Sequence, residues 1–141
     1  MTHVELAQRY VGMALERAGD KEHPLIQWWL SLCGYGLDAK DEVPWCSAFV
    51  NGIAWECRLQ RSKSAAARSW LTVGFPKNVT EAKTGDVIVF ARGASPTAGH
   101  VGFYMGPDGA DRVFVLGGNQ GHNVSVASFH RDAILGVRRL T

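Results

Sequence analysis

The chain has 141 residues, a length typical of one domain that can bury a substantial core. Hydrophobic residues make up 46% of the chain and charged residues 20%, proportions that exclude a largely disordered protein. The 15 basic and 13 acidic residues leave a net charge of +2, too small to indicate a nucleic-acid-binding surface. No stretch approaches the ~20 apolar residues that a membrane-spanning helix needs. We therefore expect residues 1–141 to form a single domain that neither binds nucleic acid nor inserts into a membrane.

The N-terminal sequence and the cysteines indicate where the protein is made and whether its thiols are free. The segment Met1–Arg9 lacks the basic start and the apolar run of a signal peptide, so we expect synthesis in the cytoplasm. Cys33, Cys46 and Cys57 are an odd number of cysteines without a close CxxC pair. This spacing argues against a disulfide framework and against a zinc ribbon. At least one thiol is expected to be free.

In chain order, hydrophobic spacing first predicts helices. Apolar residues recur there at helical intervals, and glycine or proline residues mark the ends of the segments. The helices expected are residues 3–18, Pro24 to about Gly34, Trp45 to about Gln60, and 64–71.

After Gly74 the pattern changes to short apolar runs separated by turn residues, such as the PDG sequence at 107–109. The strands expected are 86–91, 99–106, 112–118, 123–129 and 135–140. Helices followed by an antiparallel meander are typical of the α+β class, which is the fold class we predict.

Cys46 is the most informative residue for function. It follows Pro44 and Trp45 at the start of the third helix, where unpaired backbone N–H groups and the helix dipole favour a negative charge. Such a position is expected to lower the pKa of a thiol from about 8.5, which suits a nucleophile. The alternative is a small buried apolar residue, and position alone does not decide between the two. Cys33 and Cys57 are expected to be core residues.

His100 is the best candidate for a base among the five histidines. It opens a predicted strand, and alternation places His100, Gly102 and Tyr104 on one face of the sheet, with Val101 and Phe103 on the other. We expect the ring to face a helix packed on its own side. A structural histidine is the alternative interpretation.

A third polar group often orients such a histidine. Asn119 is our choice because it follows Gly117 and Gly118 at the end of the next strand, where glycines permit close approach of the backbone. The alternative is an ordinary turn residue, and Asp86 and Asp41 are possible substitutes.

Substrate contacts are expected from Asp41, Trp45 and Tyr104. Asp41 lies in the loop before Cys46 and could bind a substrate amine, although a solvated charge is the more usual role. Trp45 and Tyr104 could line a groove, although aromatic residues at such spacings more often belong to the core.

Taken together, these residues resemble the CHAP and NlpC/P60 group of peptidoglycan hydrolases, and most closely the short single-domain branch of bacteriophages and prophages. The resemblance runs from about residue 5 to 140, and it is the combination of segments in order that is specific. The matching segments are 41–51 (DEVPWCSAFVN), 66–71 (AARSWL), 85–90 (GDVIVF), 99–104 (GHVGFY) and 116–120 (LGGNQ).

The resemblance implies a papain-like fold, with a nucleophile helix packed on an antiparallel sheet. It implies that Cys46 is the nucleophile, His100 the base and Asn119 the orienting residue. The substrate would be bacterial peptidoglycan, cut at amide bonds of its peptide stems or cross-bridges. Many NlpC/P60 members have a second histidine where this chain offers Asn119. The acidic calcium-binding cluster of some CHAP domains is not evident, nor is a separate wall-binding module, and we expect no metal or other cofactor.

Three other interpretations remain open from the sequence. The same residues could serve an N-acetylmuramoyl-L-alanine amidase, or the chain could be a wall-binding or phage structural module with a degenerate site. A zinc site formed by Cys46, His100 and His122 lacks any recognised ligand spacing. For the enzyme we expect a monomer that is made in the cytoplasm of a bacterial host and reaches the wall through a holin or another secretion route.

Overall fold

The computed structural model of the chain describes residues 1–13, 23–39 and 43–141. Its elements follow the predicted order, with helices first and strands after them, so the α+β class is confirmed. The α-helices are α1 (His3–Gln8), α2 (Pro24–Ser31) and α3 (Cys46–Glu56). Short 3-10 helices cover Ala67–Thr72, Val79–Glu81 and Arg131–Ala133.

Helices α1 and α2 begin where local chemistry favours a helix start. Thr2 caps α1 because its hydroxyl accepts a hydrogen bond from the backbone N–H of Glu5. Pro24 occupies the first turn of α2, where its missing N–H costs nothing. Helix α1 ends at Gln8, well before the predicted end, and residues 14–18 of that prediction lie outside the described residues. No helix in the described ranges is long and apolar enough to cross a membrane.

The strands form one antiparallel sheet in the order β1-β6-β2-β3-β4-β5. Five of the strands correspond to predicted ones, whereas β1 was not predicted. It has three residues and contains Pro76, and it pairs only with β6 at the edge of the sheet, where a proline is tolerated. The strands are β1 (Phe75–Lys77), β2 (Val87–Ala91), β3 (Gly99–Asp108), β4 (Arg112–Gly117), β5 (Ser125–His130) and β6 (Ile134–Arg139).

The two faces of the sheet belong to different hydrophobic clusters. Val101 and Phe103 of β3 face the helices and join the cluster that contains Phe49 of α3. Tyr104 lies on the opposite face in a second cluster with Phe90. The predicted alternation along β3 is therefore confirmed, but the expectation that α3 would pack on the face of His100 is wrong. The helix covers the side on which β3 presents large apolar residues.

Tight aromatic packing fixes α3 in this layer. Trp29 of α2 stacks on Trp45 with ring centroids 6.0 Å apart. A Cβ atom at Gly52 would lie 2.2 Å from the indole of Trp29, so a glycine in α3 is required for this close approach. The start of α3, and Cys46 with it, is thus positioned by the core.

Candidate active site

Cys46 is the first residue of α3, and its side chain is 3% exposed at the bottom of an open cavity of about 380 Å³. The residue before it, Trp45, is the N-cap, and an indole has no oxygen with which to accept hydrogen bonds from the first turn. Mostly small side chains line the cavity, so a substrate can approach the sulfur. The lining residues are Pro44, Cys46, Ala65, Ala66, Ala67, Arg92, Thr97, Ala98 and Gly99.

Burial raises the pKa of the Cys46 thiol above its ordinary value, contrary to the expectation from helix position alone. The backbone N–H of Val101 on β3 and the charge of Arg92 act in the opposite direction, as do two N–H groups of the first helical turn. These groups would stabilise a thiolate, but desolvation outweighs them. The resting residue is therefore a neutral thiol at neutral pH.

The other two cysteines are free and half-buried. Burial raises the pKa of the Cys33 thiol to about 11, and it also raises that of Cys57. Neither residue lines the cavity that holds Cys46. Cys33 packs against the helical cluster and Cys57 ends α3, so both are less buried than the core residues we expected.

His100 lies at the start of β3, on the sheet face opposite α3, and is 2% exposed. Its imidazole stacks on the ring of Phe129 in β5, with centroids 5.0 Å apart and an angle of 17° between the planes. One edge of the ring borders a second cavity of about 440 Å³. The stack holds the ring plane, and hydrogen bonds fix its rotation.

Gln120 supplies the main hydrogen bond to His100. Its Oε1 atom lies 2.8 Å from the imidazole Nε2 atom. The amide Nε2 of Gln120 donates to the carbonyl oxygens of Ser125 at 2.8 Å and Val115 at 3.2 Å, which identifies the other end of the amide as the oxygen. His100 must then donate from Nε2, and its Nδ1 atom is left as a proton acceptor.

Burial lowers the pKa of His100 from 6.5 to about 4, while the hydrogen bond to Gln120 opposes this effect and Arg92 adds to it. The imidazole is therefore neutral across the physiological range. A neutral ring with Nδ1 unprotonated has the form that a general base requires.

Arg92 connects the two cavities. It lines the cavity of Cys46 and also that of His100, and its Nη2 atom lies 3.4 Å from His100 Nδ1. No hydrogen bond joins Cys46 directly to His100, although both side chains belong to the part of the chain that is described. The sulfur instead contacts the N–H of Val101, the residue next to His100 along β3.

Two glycines at the end of β4 leave the space that the neighbouring side chains of the site occupy. A Cβ atom at Gly117 would lie 2.5 Å from Oε1 of Gln120 and 3.4 Å from Nε2 of His100. A Cβ atom at Gly118 would lie 2.7 Å from the ring of Trp45, on the helical side. The expected close approach at these glycines is confirmed on both faces.

A buried polar network holds the segment that forms one wall of the Cys46 cavity. The Ser47 hydroxyl donates to the carbonyl of Ser64 at 2.6 Å and accepts from the indole of Trp70 at 2.9 Å. The Asn51 carbonyl accepts from the backbone N–H of Lys63 at 2.9 Å. These bonds fasten residues 62–64 to α3, directly before the alanines that line the cavity.

The opposite wall is fastened by Arg68. Its guanidinium donates to the carbonyls of Ala98 at 3.0 Å and Ser95 at 2.8 Å. Both acceptors belong to the loop between β2 and β3, which places Thr97 and Ala98 at the cavity beside Gly99, the first residue of β3.

The structure brings some of the site residues predicted from the sequence together and leaves others apart. Cys46 and His100 lie at adjoining cavities, and Asn119 borders the cavity of His100. However, Gln120 rather than Asn119 contacts the imidazole, and Asn119 itself adopts a left-handed φ of 57°. Asp86 is not a substitute, since its carboxylate is held by Arg139 at 2.7 Å.

Two of the three predicted substrate contacts, Trp45 and Tyr104, are core residues in the structure. Trp45 is fully buried against Trp29, so its side chain cannot reach a substrate. Tyr104 is 8% exposed and packs with Ile88 and Phe90, so its expected position in a groove is also wrong. In both cases an aromatic ring is used to fill the core. Asp41 lies outside the described residues.

Among the described residues, no three histidine, cysteine, aspartate or glutamate side chains lie close enough together to hold a metal ion. That finding includes Cys46, His100 and His122, the set considered from the sequence.

Sequence reasoning missed Gln120, Arg68 and Arg92. Gln120 was within reach, because it adjoins Asn119 and also carries an amide. The two arginines carry no local signal, because their partners are backbone carbonyls or a ring nitrogen supplied by other segments.

A comparison with known protein families matches residues 38–119 to the CHAP domain. No curated protein matches the chain. The family match covers more than half of the chain, including Cys46 and His100, and it ends one residue before Gln120.

Proposed function

Since this chain belongs to the CHAP domain family, it is a peptidoglycan hydrolase of the amidase or peptidase class, and we propose that Cys46 is its nucleophile and His100 its base. Family membership also accounts for the papain-like α+β architecture. The finer proposal is an endopeptidase that cuts amide bonds in the peptide stems or cross-bridges. One observation carries the assignment of nucleophile and base: a thiol that lines an open cavity at a helix start adjoins a buried, neutral imidazole whose Nδ1 atom is a proton acceptor.

The pKa directions favour one order of events. Because the thiol of Cys46 and the imidazole of His100 are both neutral at rest, the pair does not wait as a thiolate and an imidazolium. The thiol proton passes to Nδ1 of His100 as the sulfur attacks the scissile carbonyl carbon. For this transfer the guanidinium of Arg92 must move aside from Nδ1, and its 3.4 Å contact there is weak enough to allow that.

Negative charge then develops on the carbonyl oxygen. The first turn of α3 offers backbone N–H groups of Cys46 and Ser47 that no N-cap side chain occupies. N–H groups fixed at a helix start stabilise such an oxyanion without reorganisation. We assign them that role.

Collapse of the tetrahedral intermediate breaks the carbon–nitrogen bond, and Nδ1 of His100 returns its proton to the leaving amine. Water, deprotonated by the same nitrogen, then hydrolyses the thioester and regenerates the thiol. Through both stages Gln120 accepts a hydrogen bond from the Nε2–H of His100 and so maintains the tautomer in which Nδ1 can take up the proton.

The proposal is tested by digestion of purified peptidoglycan with wild type, Cys46→Ala and Cys57→Ala protein. Cys57 is a half-buried thiol away from the cavity and gives a matched control. We expect wild type and Cys57→Ala to release soluble fragments and Cys46→Ala to release none. Near-wild-type activity of Cys46→Ala would remove the nucleophile assignment.

Mass spectrometry of the fragments distinguishes the bond. An endopeptidase leaves new termini within the peptide, whereas an N-acetylmuramoyl-L-alanine amidase frees the lactyl group of the sugar. Folded protein that binds insoluble peptidoglycan and releases nothing would favour a wall-binding or phage structural module instead.

We further propose a lysin-like role for residues 1–141 as one monomeric catalytic domain that reaches the wall by a holin or another secretion route. Purified protein added to cells whose outer face exposes peptidoglycan should lower the turbidity of the suspension, and Cys46→Ala should not. Light scattering that gives the mass of a dimer would contradict the monomer.

A further inference from the structure

Arg92 follows β2 directly and projects between the two cavities of the site. It is exposed, and it lines both the cavity of Cys46 and that of His100. A ligand that spans the thiol and the imidazole must therefore pass its guanidinium.

Arg92 is also the charged member of an otherwise neutral lining. The remaining residues of the two cavities, all of them described, are small or apolar, apart from hydroxyl and amide side chains and the neutral ring of His100. A fixed positive charge in such a cleft attracts an anionic group of a ligand more strongly than it would on an open surface.

The hydrogen bonding of Arg92 differs from that of other arginines near the sheet. Arg138 donates to two backbone carbonyls at 2.8 and 2.7 Å, and Arg139 binds both oxygens of Asp86 at 2.8 and 2.7 Å. By contrast, the contact found for Arg92 in the described chain is the 3.4 Å approach to Nδ1 of His100. Because a guanidinium has five N–H donors, most of its capacity remains available to a ligand.

A carboxylate matches this capacity best, since its two oxygens accept parallel hydrogen bonds from a guanidinium fork. It would be a stronger partner than the imidazole nitrogen at 3.4 Å, so binding would also turn the guanidinium away from Nδ1.

We infer that Arg92 binds a carboxylate of the wall peptide next to the scissile bond, and that the enzyme prefers stem peptides in which this carboxylate is free over those in which it is amidated. The inference rests on the proposed function and adds the chemical class of substrate. Arg92 is a specificity-determining residue here and is not required to take part in proton transfer.

The experiment compares two synthetic stem peptides that differ only in this group, one with the free carboxylate and one with the carboxamide. Steady-state cleavage of both is measured with wild type, Arg92→Lys, Arg92→Gln and the control Arg9→Gln, which removes an exposed arginine outside both cavities. We expect wild type and Arg9→Gln to show a KM at least about tenfold lower for the free acid. Arg92→Gln should lose that preference through KM, and Arg92→Lys should retain part of it, because an ammonium keeps the charge but not the fork.

Equal KM values for both peptides with wild type would overturn the inference, as would an equal loss of kcat on both peptides in Arg92→Gln. The latter would instead mean that Arg92 acts on the thiol and imidazole. Calorimetric binding of the two peptides to Cys46→Ala separates this failure from failure of the proposed function. Equal binding of both peptides removes only the role of Arg92, whereas binding of neither removes the substrate class as well.

Discussion

The imidazole Nε2 atom of His100 lies 2.8 Å from Oε1 of Gln120, and the amide of Gln120 is itself held by two backbone carbonyls. The tautomer of the histidine is therefore set by the Gln120 amide, because its N–H₂ group donates to these carbonyls and leaves Oε1 to accept from the ring. Asn119, the adjacent residue in sequence, borders the same cavity but does not make this contact.

We expect Gln120→Ala to lower kcat by about 10- to 100-fold, because losing a hydrogen bond that strengthens as the ring becomes charged costs about 1.5–3 kcal/mol. Asn119→Gly is the matched control, since glycine accepts the left-handed φ of 57° at that position. It should stay within about threefold of wild type on the same scale. Peptidoglycan digestion under initial-rate conditions measures both, and the opposite ranking would return the orienting role to Asn119.

The pH dependence follows from the low pKa of His100. The ring acts as a base only when it is neutral, so activity should persist at mildly acidic pH and fall as the pH drops through about 4. An exposed histidine would instead impose this loss near pH 6.5, its ordinary pKa. A profile of kcat/KM between pH 3.5 and 8, with folding followed by circular dichroism at each pH, measures the acidic limb. A limb centred above pH 6 in folded protein would contradict the buried, neutral base.

Substitution by alanine at Gly117 should lower activity, whereas the same substitution at Gly118 should lower stability. Gly117→Ala places a methyl group 2.5 Å from Oε1 of Gln120, so we expect loss of activity with little change in the melting temperature. Gly118→Ala forces a methyl group against Trp45 and Phe49 at 2.7 Å, which should destabilise the fold by about 1–3 kcal/mol. Thermal unfolding and peptidoglycan digestion of the two variants separate the effects. Equal destabilisation by both would show that the Gln120 side chain cannot yield.

Asn51 does not line the cavity of Cys46, but we expect its substitution to lower stability and to raise KM. Asn51→Ala leaves the N–H of Lys63 without its 2.9 Å acceptor, which should lower the free energy of unfolding by about 1–3 kcal/mol. Because the attached segment leads into the cavity wall, KM should also rise. Ser62→Ala is the control, because it removes a hydroxyl that accepts from the Asn51 amide at 3.2 Å and makes two long contacts with the backbone of Ser64 at 3.4 Å; it should cost less than about 1 kcal/mol. Denaturant unfolding measures both, and equal stabilities would show that water replaces the lost acceptor.

The sequence was sufficient for the elements that depend on local pattern. Pro24 and the apolar spacing after it predict α2, and the alternation from His100 to Phe103 predicts the two faces of β3. Strand β1 escaped prediction because Phe75–Lys77 is too short to show a pattern and exists only by pairing with β6.

The parts of the site that depend on three-dimensional packing could not be predicted in this way. The pKa of Cys46 was expected to fall because its helix position is visible in the sequence, whereas its burial beneath the sheet is not. Trp45 and Tyr104 were weighed as substrate contacts because an aromatic residue suits either a cleft or a core, and only the packing decides.

Cys46 and His100 lie on opposite faces of the sheet, and the tryptophans are found on only one of these faces. All five tryptophans, namely Trp28, Trp29, Trp45, Trp55 and Trp70, belong to the helical side. The side that holds His100 contains none and contributes mainly the weaker emission of Tyr104. Tryptophan fluorescence therefore reports on the environment of Cys46 and is nearly blind to that of His100. If a substitution near His100 leaves the emission spectrum unchanged, the packing around Cys46 is intact. For such a variant, tryptophan fluorescence is therefore an internal control for the structure around the nucleophile.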